Sequence, residues 1–286
     1  MSIDNKIHKI ALNSALISKK FFAGNFTSLF CGNGINFKEL RDYQIGDDVK
    51  SISWTASARY SKTLIKINEE DKQQHVIFLI DVSKSIEFGT KEKTKKDLII
   101  EICFLIAYSS YRNNDKIAAI FFSDKIEKVI PLSNNKHNLS LIANNLINFS
   151  PTSNGTDYSC VLNYLTSNFS KDSIVFIFSD FITELNYETE LGIAAKKFKI
   201  VPIKISDPIE NKYESSNSGL IKVLNEENGI VHFVNLKKSN TIRDEIKKRN
   251  QYFFYILKKH HIKYITLETN SKYILKLISF FQKYKK

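Results

Sequence analysis

An α/β fold is what this chain predicts: a mostly parallel sheet with helices on both faces, preceded by an N-terminal helix and strand extension. Three observations carry that expectation. Residues 76–80 form an uninterrupted apolar run, VIFLI, of the kind a strand covered on both sheet faces requires. Residues 117–123, IAAIFFS, and 173–181, SIVFIFSDF, repeat the pattern, and the first and third runs end in acids, Asp81 and Asp180. The stretches between them carry helical periodicity and are long enough for crossovers, which places the strands side by side and parallel.

The elements follow in order. Residues 4–20 place Ile7, Ile10, Ala11, Ser14, Ala15 and Ile17 on a helical period with a basic end at Lys19 and Lys20. Gly24, Gly32 and Gly34 then punctuate short aromatic pieces. Residues 37–59 are dense in charge, hold the single Trp, and carry a turn signal at Gly46-Asp47-Asp48 before an edge strand over 62–68. The strand ending at Asp81 leads into a mostly apolar helix over 91–112. After the second strand, Asp124-Lys125 marks a hairpin turn to a short partner over 125–130, stopped by Pro131. Helices over 139–147 and 156–168 flank a loop at 150–155, and a helix over 187–198 precedes a strand over 199–205. A hairpin with its turn at 226–229 follows, then a helix over 239–259, a strand over 262–267 and a helix over 271–284. The domain division expected is an extension over 1–73 and an α/β domain over 74–286.

Composition removes several classes. At 286 residues and 43% hydrophobic content the chain can bury a sizeable core. No apolar run reaches the ~18–20 residues of a membrane span, and the longest candidate, 98–108, is interrupted by Glu101. The first twenty residues alternate charged and apolar side chains where a signal peptide would have an apolar core, so the cytoplasm is expected. Cys31, Cys103 and Cys160 are odd in number and lack CxxC pairing, which argues against a disulfide framework or zinc site. The six histidines show no HExxH spacing. The net charge of +12 is local: residues 237–286 hold 14 Lys or Arg against Asp244, Glu245 and Glu268, whereas the rest of the chain holds 28 against 27. Tyr252, Phe253, Phe254, Tyr255, Tyr264, Tyr273 and Phe280 interleave those lysines, as stacking on nucleic acid would need, yet they also fall at helical core spacing. A solvated helix surface is the reading adopted, with a nucleic-acid or anionic-surface binder as the alternative.

The chemistry gathers at strand ends. Open α/β sheets bind ligands at the carboxyl ends of their strands, and there the chain places Asp81-x-Ser83-x-Ser85, Thr156 opening a helix, and Asp180. Mg2+ takes six oxygens and keeps several waters. The hydroxyls of Ser83, Ser85 and Thr156 can ligate directly, with Asp81 and Asp180 orienting water or binding from the side. So few direct carboxylates leave the ion electrophilic, and a free position would favour an Asp or Glu from a partner protein. Mn2+ and Ca2+ are alternatives to Mg2+. Ser, Thr and Asp also favour helix caps and turns, so a purely structural reading competes.

These five residues, in this order and on these elements, resemble the metal-ion-dependent adhesion site of von Willebrand factor A domains, which implies a Rossmann-like fold and metal-dependent protein recognition. A second resemblance spans nearly the whole chain. FKELRDYQIGDDVKSISWTASAR, the metal motif, SDF and Asp207-Pro208-x-Glu210 resemble the bacterial family called domain of unknown function 58. Asp47, Asp48, Trp54 and Arg59 match its signature, while Lys50 and Ser53 stand where it usually has Arg and Asp. Those signature residues are expected to hold the N-terminal segment onto the main domain, the Trp packed and the charges paired. Family members often accompany MoxR-type AAA+ ATPases, so the resemblance implies such an ATPase as partner. The function expected is a non-enzymatic, Mg2+-dependent interaction module, an adaptor or co-chaperone in protein assembly or maturation. Enzymatic readings are poorer: phosphoaspartyl chemistry needs a second carboxylate where Ser83 stands, and there is no GxxxxGK[ST] loop or GxSxG elbow. A weak metal-dependent phosphohydrolase remains the enzymatic alternative.

Overall fold

A computed structural model of the chain describes residues 37–284, apart from 69–72, 90–92, 154, 183–185, 209, 211–219, 225–230 and 236–239. The helix expected over 4–20 and the glycine-punctuated pieces after it lie outside the described residues.

The N-terminal part begins with β1 (Phe37–Asp42), which pairs antiparallel with β2 (Leu64–Asn68). Between them Gly46, at φ 110°, makes the turn that a side chain would strain, and a short helix α1 (Trp54–Tyr60) follows. The order of the main sheet is β10 (Ile265–Glu268), β7 (Lys199–Ser206), β6 (Ile174–Ser179), β3 (His75–Asp81), β4 (Lys116–Phe122), β5 (Ile126–Ser133). All neighbours are parallel except β4 and β5. Numbered within the sheet by chain order, this is the 3-2-1-4-5-6 arrangement of doubly wound folds, with its switch point between β3 and β6. A separate antiparallel pair, β8 (Leu220–Leu224) and β9 (Val231–Asn235), supplies the two strands of the expected hairpin, whose turn at 226–229 lies outside the described residues.

The period-2 alternation of strand side chains divides the core. Val76, Phe78 and Ile80 of β3 face helices α2 (Lys95–Arg112), α3 (Lys136–Asn148) and α7 (Tyr273–Tyr284). Ile77 and Leu79 face α4 (Tyr158–Asn168), α5 (Glu188–Lys197) and α6 (Asn240–Lys259). Both faces are covered, which is why the strands read as continuous apolar runs.

Several boundaries differ from expectation: α2 starts at Lys95, four residues late, behind the Thr94 cap, and α3 starts at Lys136, three residues early, behind the Asn135 cap. The strand β5 continues through Pro131 to Ser133, because it is the sheet edge and a missing N–H there costs no ladder bond; its register shifts between Ile117 and Ala119 of β4 absorb the irregularity. The helix expected from Thr156 starts at Tyr158 with Asp157 as its cap, so Thr156 stays in the loop. The strand β10 begins at Ile265, three residues later than the periodicity suggested. Among the basic-region aromatics, Phe253 is core, whereas Phe254, Tyr255 and Tyr264 are exposed.

Candidate functional site

Strand β3 delivers Asp81 to the switch point as a 1% exposed carboxylate. The chain then turns immediately: one Asp81 oxygen accepts the Ser83 N–H at 2.9 Å, and a single 3-10 turn over Lys84–Glu87 carries Ser85 back toward Ser83. The two hydroxyls lie 3.1 Å apart. On the neighbouring strand, Ser179 donates to the other Asp81 oxygen at 2.5 Å and lies 2.5 Å from the Tyr158 hydroxyl. Thus Tyr158, Ser179 and Asp81 form a buried relay from α4 through β6 to β3.

Asp180 follows and is 3% exposed. Its Oδ1 accepts the Ile182 N–H at 3.1 Å and its Oδ2 accepts the Lys95 ammonium at 2.9 Å. Lys204 donates to its carbonyl. The next residue, Phe181, has φ 54°, left-handed backbone that an aromatic residue rarely adopts and that costs on the order of 1–3 kcal/mol. Its ring is held there by stacking on Tyr158, and the Ser179 hydroxyl accepts its N–H. Strain of this kind gathers at functional sites.

Thr156 reaches the same sheet edge by another route. Glu127 of β5 accepts the Thr152 N–H and hydroxyl and the Ser153 N–H, while Asp124 accepts the Ser153 hydroxyl. The Asp157 N–H then bonds the Ser123 carbonyl at 2.9 Å, directly beyond Phe122, the β4 residue in register with Asp81. Thr152, Ser153 and Asp157 are therefore fastened to the β4–β5 hairpin, which sets Thr156 one strand from Asp81.

The electrostatics are uneven. Burial, followed by the charge of Asp180, pushes the Asp81 carboxyl up to about 6, against the opposing pull of hydrogen bonds from Ser179 and Ser83. For Asp180 burial again acts to raise the carboxyl, but Lys95 and Lys204 outweigh it and hold the group below the usual carboxylate range. Lys95 is 1% exposed; burial works to lower its ammonium, yet Asp180 and Glu210 hold it well above the ordinary lysine value.

The donor set fits a hard cation. Two cis ligands of an octahedral Mg2+ at 2.0–2.1 Å lie about 3 Å apart, and the Ser83 and Ser85 hydroxyls stand at 3.1 Å. Two neighbouring buried carboxylates, one with its acidity suppressed, are the electrostatic conflict a divalent ion relieves. Among the described residues no three His, Cys, Asp or Glu side chains gather in a way that could hold a metal ion, so a cation here would depend on hydroxyls.

Sequence reasoning picked out Asp81, Ser83, Ser85, Thr156 and Asp180 but missed Ser179, Lys95, Lys204 and the side chain of Glu210. Ser179 sits inside the SDF strand end and was legible as a hydroxyl beside an acid. Lys95 was not, being one of several lysines around the start of α2. Among the signature residues of the N-terminal part, Trp54 and Arg59 differ from expectation. The Trp54 indole is 69% exposed instead of packed, and Arg59 is exposed. Asp47 pairs within its own segment, with the Arg41 guanidinium and the Gln44 N–H, both at 2.8 Å.

Known proteins resemble this chain at several levels. The uncharacterized protein Rv1480 of Mycobacterium tuberculosis and the uncharacterized protein Mb1516 of Mycobacterium bovis are each 22% identical over 210 residues. The match covers 73% of this chain and 66% of each relative, so the chain spans just under two thirds of their length. Among solved structures, the conserved hypothetical protein BatB from Bacteroides thetaiotaomicron aligns with TM-score 0.48 and 15% identity, covering 74% of this chain and 98% of that one. The VWA domain of SpRpn10 aligns with TM-score 0.41 and 10% identity, covering 73% and 94%. No helix among the described residues is long and apolar enough to cross a membrane. Residues 39–252 match the family described as "Protein of unknown function DUF58", and the chain belongs to that family.

Proposed function

We propose that this protein is a non-enzymatic, Mg2+-dependent protein-interaction module, an adaptor or co-chaperone that works with a MoxR-type AAA+ ATPase in assembling or maturing other proteins. The observation that carries the reading is the Ser83–Ser85 hydroxyl pair, 3.1 Å apart beside buried Asp81 at the switch point of the sheet. Ser83, Ser85 and Thr156 would hold the ion, with Asp81 and Asp180 behind them. Bound there, Mg2+ supplies Lewis acidity toward an incoming carboxylate. Because the chain itself offers few direct anionic ligands, an Asp or Glu from a partner gains most by completing the coordination. The nearby carboxylates are already engaged, Asp180 by the Lys95 ammonium and Asp81 by the Ser179 hydroxyl, which leaves recognition better supported than acid–base turnover.

The test is affinity capture from cells of the native organism, with wild type and Asp81→Ala as bait, each with and without EDTA. Wild type in Mg2+ should retain a defined set of proteins, including a MoxR-type ATPase, that the other three conditions release. Identical capture in all four arms would sink metal-mediated recognition.

A further inference from the structure

Lys95 is in an unfavourable place for a lysine. It occupies the first turn of α2, directly after the Thr94 cap, where the positive end of the helix dipole opposes an ammonium, and it is 1% exposed. Proteins place a buried charge against both local preferences only where it is well compensated. Here two carboxylates distant in sequence do so: Asp180 at 2.9 Å and Glu210 at 2.7 Å. Glu210 is itself fixed, since its second oxygen accepts the Asp207 N–H at 2.8 Å and its own N–H returns to the Asp207 carbonyl at 3.0 Å. Asp207 in turn accepts the Thr269 hydroxyl at 2.9 Å, at the end of β10. The third attachment of Lys95 is to the hydroxyl loop: its N–H donates to the Phe88 carbonyl at 2.9 Å, and its ammonium lies 5.8 Å from the centre of the Phe88 ring. The Asp207-Pro208-x-Glu210 turn, which the proposed function leaves without a role, is thus the clamp that holds Lys95 in position.

The geometry points to Lys95 as a positioning residue that limits the intrinsic metal affinity of the site and so makes stable metal binding depend on a partner's carboxylate; this rests on the metal-dependent reading above. Lys95 occupies Oδ2 of Asp180, which would otherwise be free to turn to a cation, and adds a fixed positive charge beside the hydroxyl loop. Both effects oppose a divalent ion. Glu210 moderates the second by neutralising part of that charge. Two changes at the clamp therefore act with opposite sign. Losing Lys95 releases Asp180 and removes the repulsion, whereas neutralising Glu210 alone leaves the ammonium less compensated and wholly directed at Asp180.

The test is a Mn2+ titration of the full chain without partner, followed by the electron paramagnetic resonance signal of the free ion, on variants whose folding is checked by circular dichroism. The double variant K95M/E210Q removes one charge of each sign and avoids stranding two buried carboxylates. It should bind Mn2+ at least tenfold more tightly than wild type, and E210Q alone should bind several-fold more weakly. A merely structural role would move both variants in the same direction. If wild type binds Mn2+, loses it in D81A, and the two clamp variants are unchanged or shifted alike, the inference falls and the metal reading stands. Should neither wild type nor K95M/E210Q bind Mn2+ at millimolar concentration, both fall together. If the double variant does not fold, E210Q decides: weaker binding supports the inference and unchanged or tighter binding overturns it.

Discussion

Two ion pairs of nearly equal length behave as different interactions. Lys95–Asp180 spans 2.9 Å with side chains 1% and 4% exposed; Arg41–Asp47 spans 2.8 Å with side chains 36% and 21% exposed. In the first, both groups are buried away from solvent, each shifts the other's proton affinity, and loss of either strands a charge in the interior. In the second, the Gln44 N–H and the Arg41 guanidinium hold the Asp47 carboxyl below its usual range, but solvent screens the pair and replaces it readily. Distance is therefore no measure of what a pair does. Burial, and the number of segments the pair joins, decide that.

Breaking the buried pair should give the largest effect. Lys95→Met is expected to lower stability by ~3–5 kcal/mol in urea denaturation, because Asp180 and Glu210 both lose their counter-ion. A loss below about 1 kcal/mol would mean that Lys204 or solvent compensates Asp180 without help. A smaller effect is expected from Ser179→Ala, about 1–3 kcal/mol, since it leaves the Tyr158 hydroxyl and one Asp81 oxygen unsatisfied in the interior. Equal unfolding midpoints for Ser179→Ala and wild type would show that those groups find other partners. The smallest effect is expected at the exposed pair: Arg41→Ala should leave the thermal midpoint unchanged in low and high salt. A clear fall there would place more of the stability in the β1–β2 pair than its exposure suggests.

Much of the site was legible before any coordinates, and the reason is local. Asp81, Ser83 and Ser85 lie within five residues, and Asp180 repeats the same grammar of a buried run ending in an acid. Ser179 was within reach of that reading. Lys95 was not, because nothing near it distinguishes it from Lys93, which pairs with Glu101, or Lys96, which is 31% exposed. Its partners lie 85 and 115 residues away. The exposure of Trp54 was likewise invisible, since an isolated Trp among charged residues reads as a packed one.

By itself, the sequence determined the layered α/β architecture, because apolar runs and helical periods state which faces must be buried. It also determined the hydroxyl-rich strand end, because that chemistry is written in adjacent residues. Only the tertiary structure decided which lysine is buried, where the Asp207–Glu210 turn closes, and that burial makes Asp81 a weaker acid while Lys95 and Lys204 make Asp180 a stronger one. Those outcomes depend on desolvation and on charges brought together across the sheet, and neither quantity exists until the chain is folded.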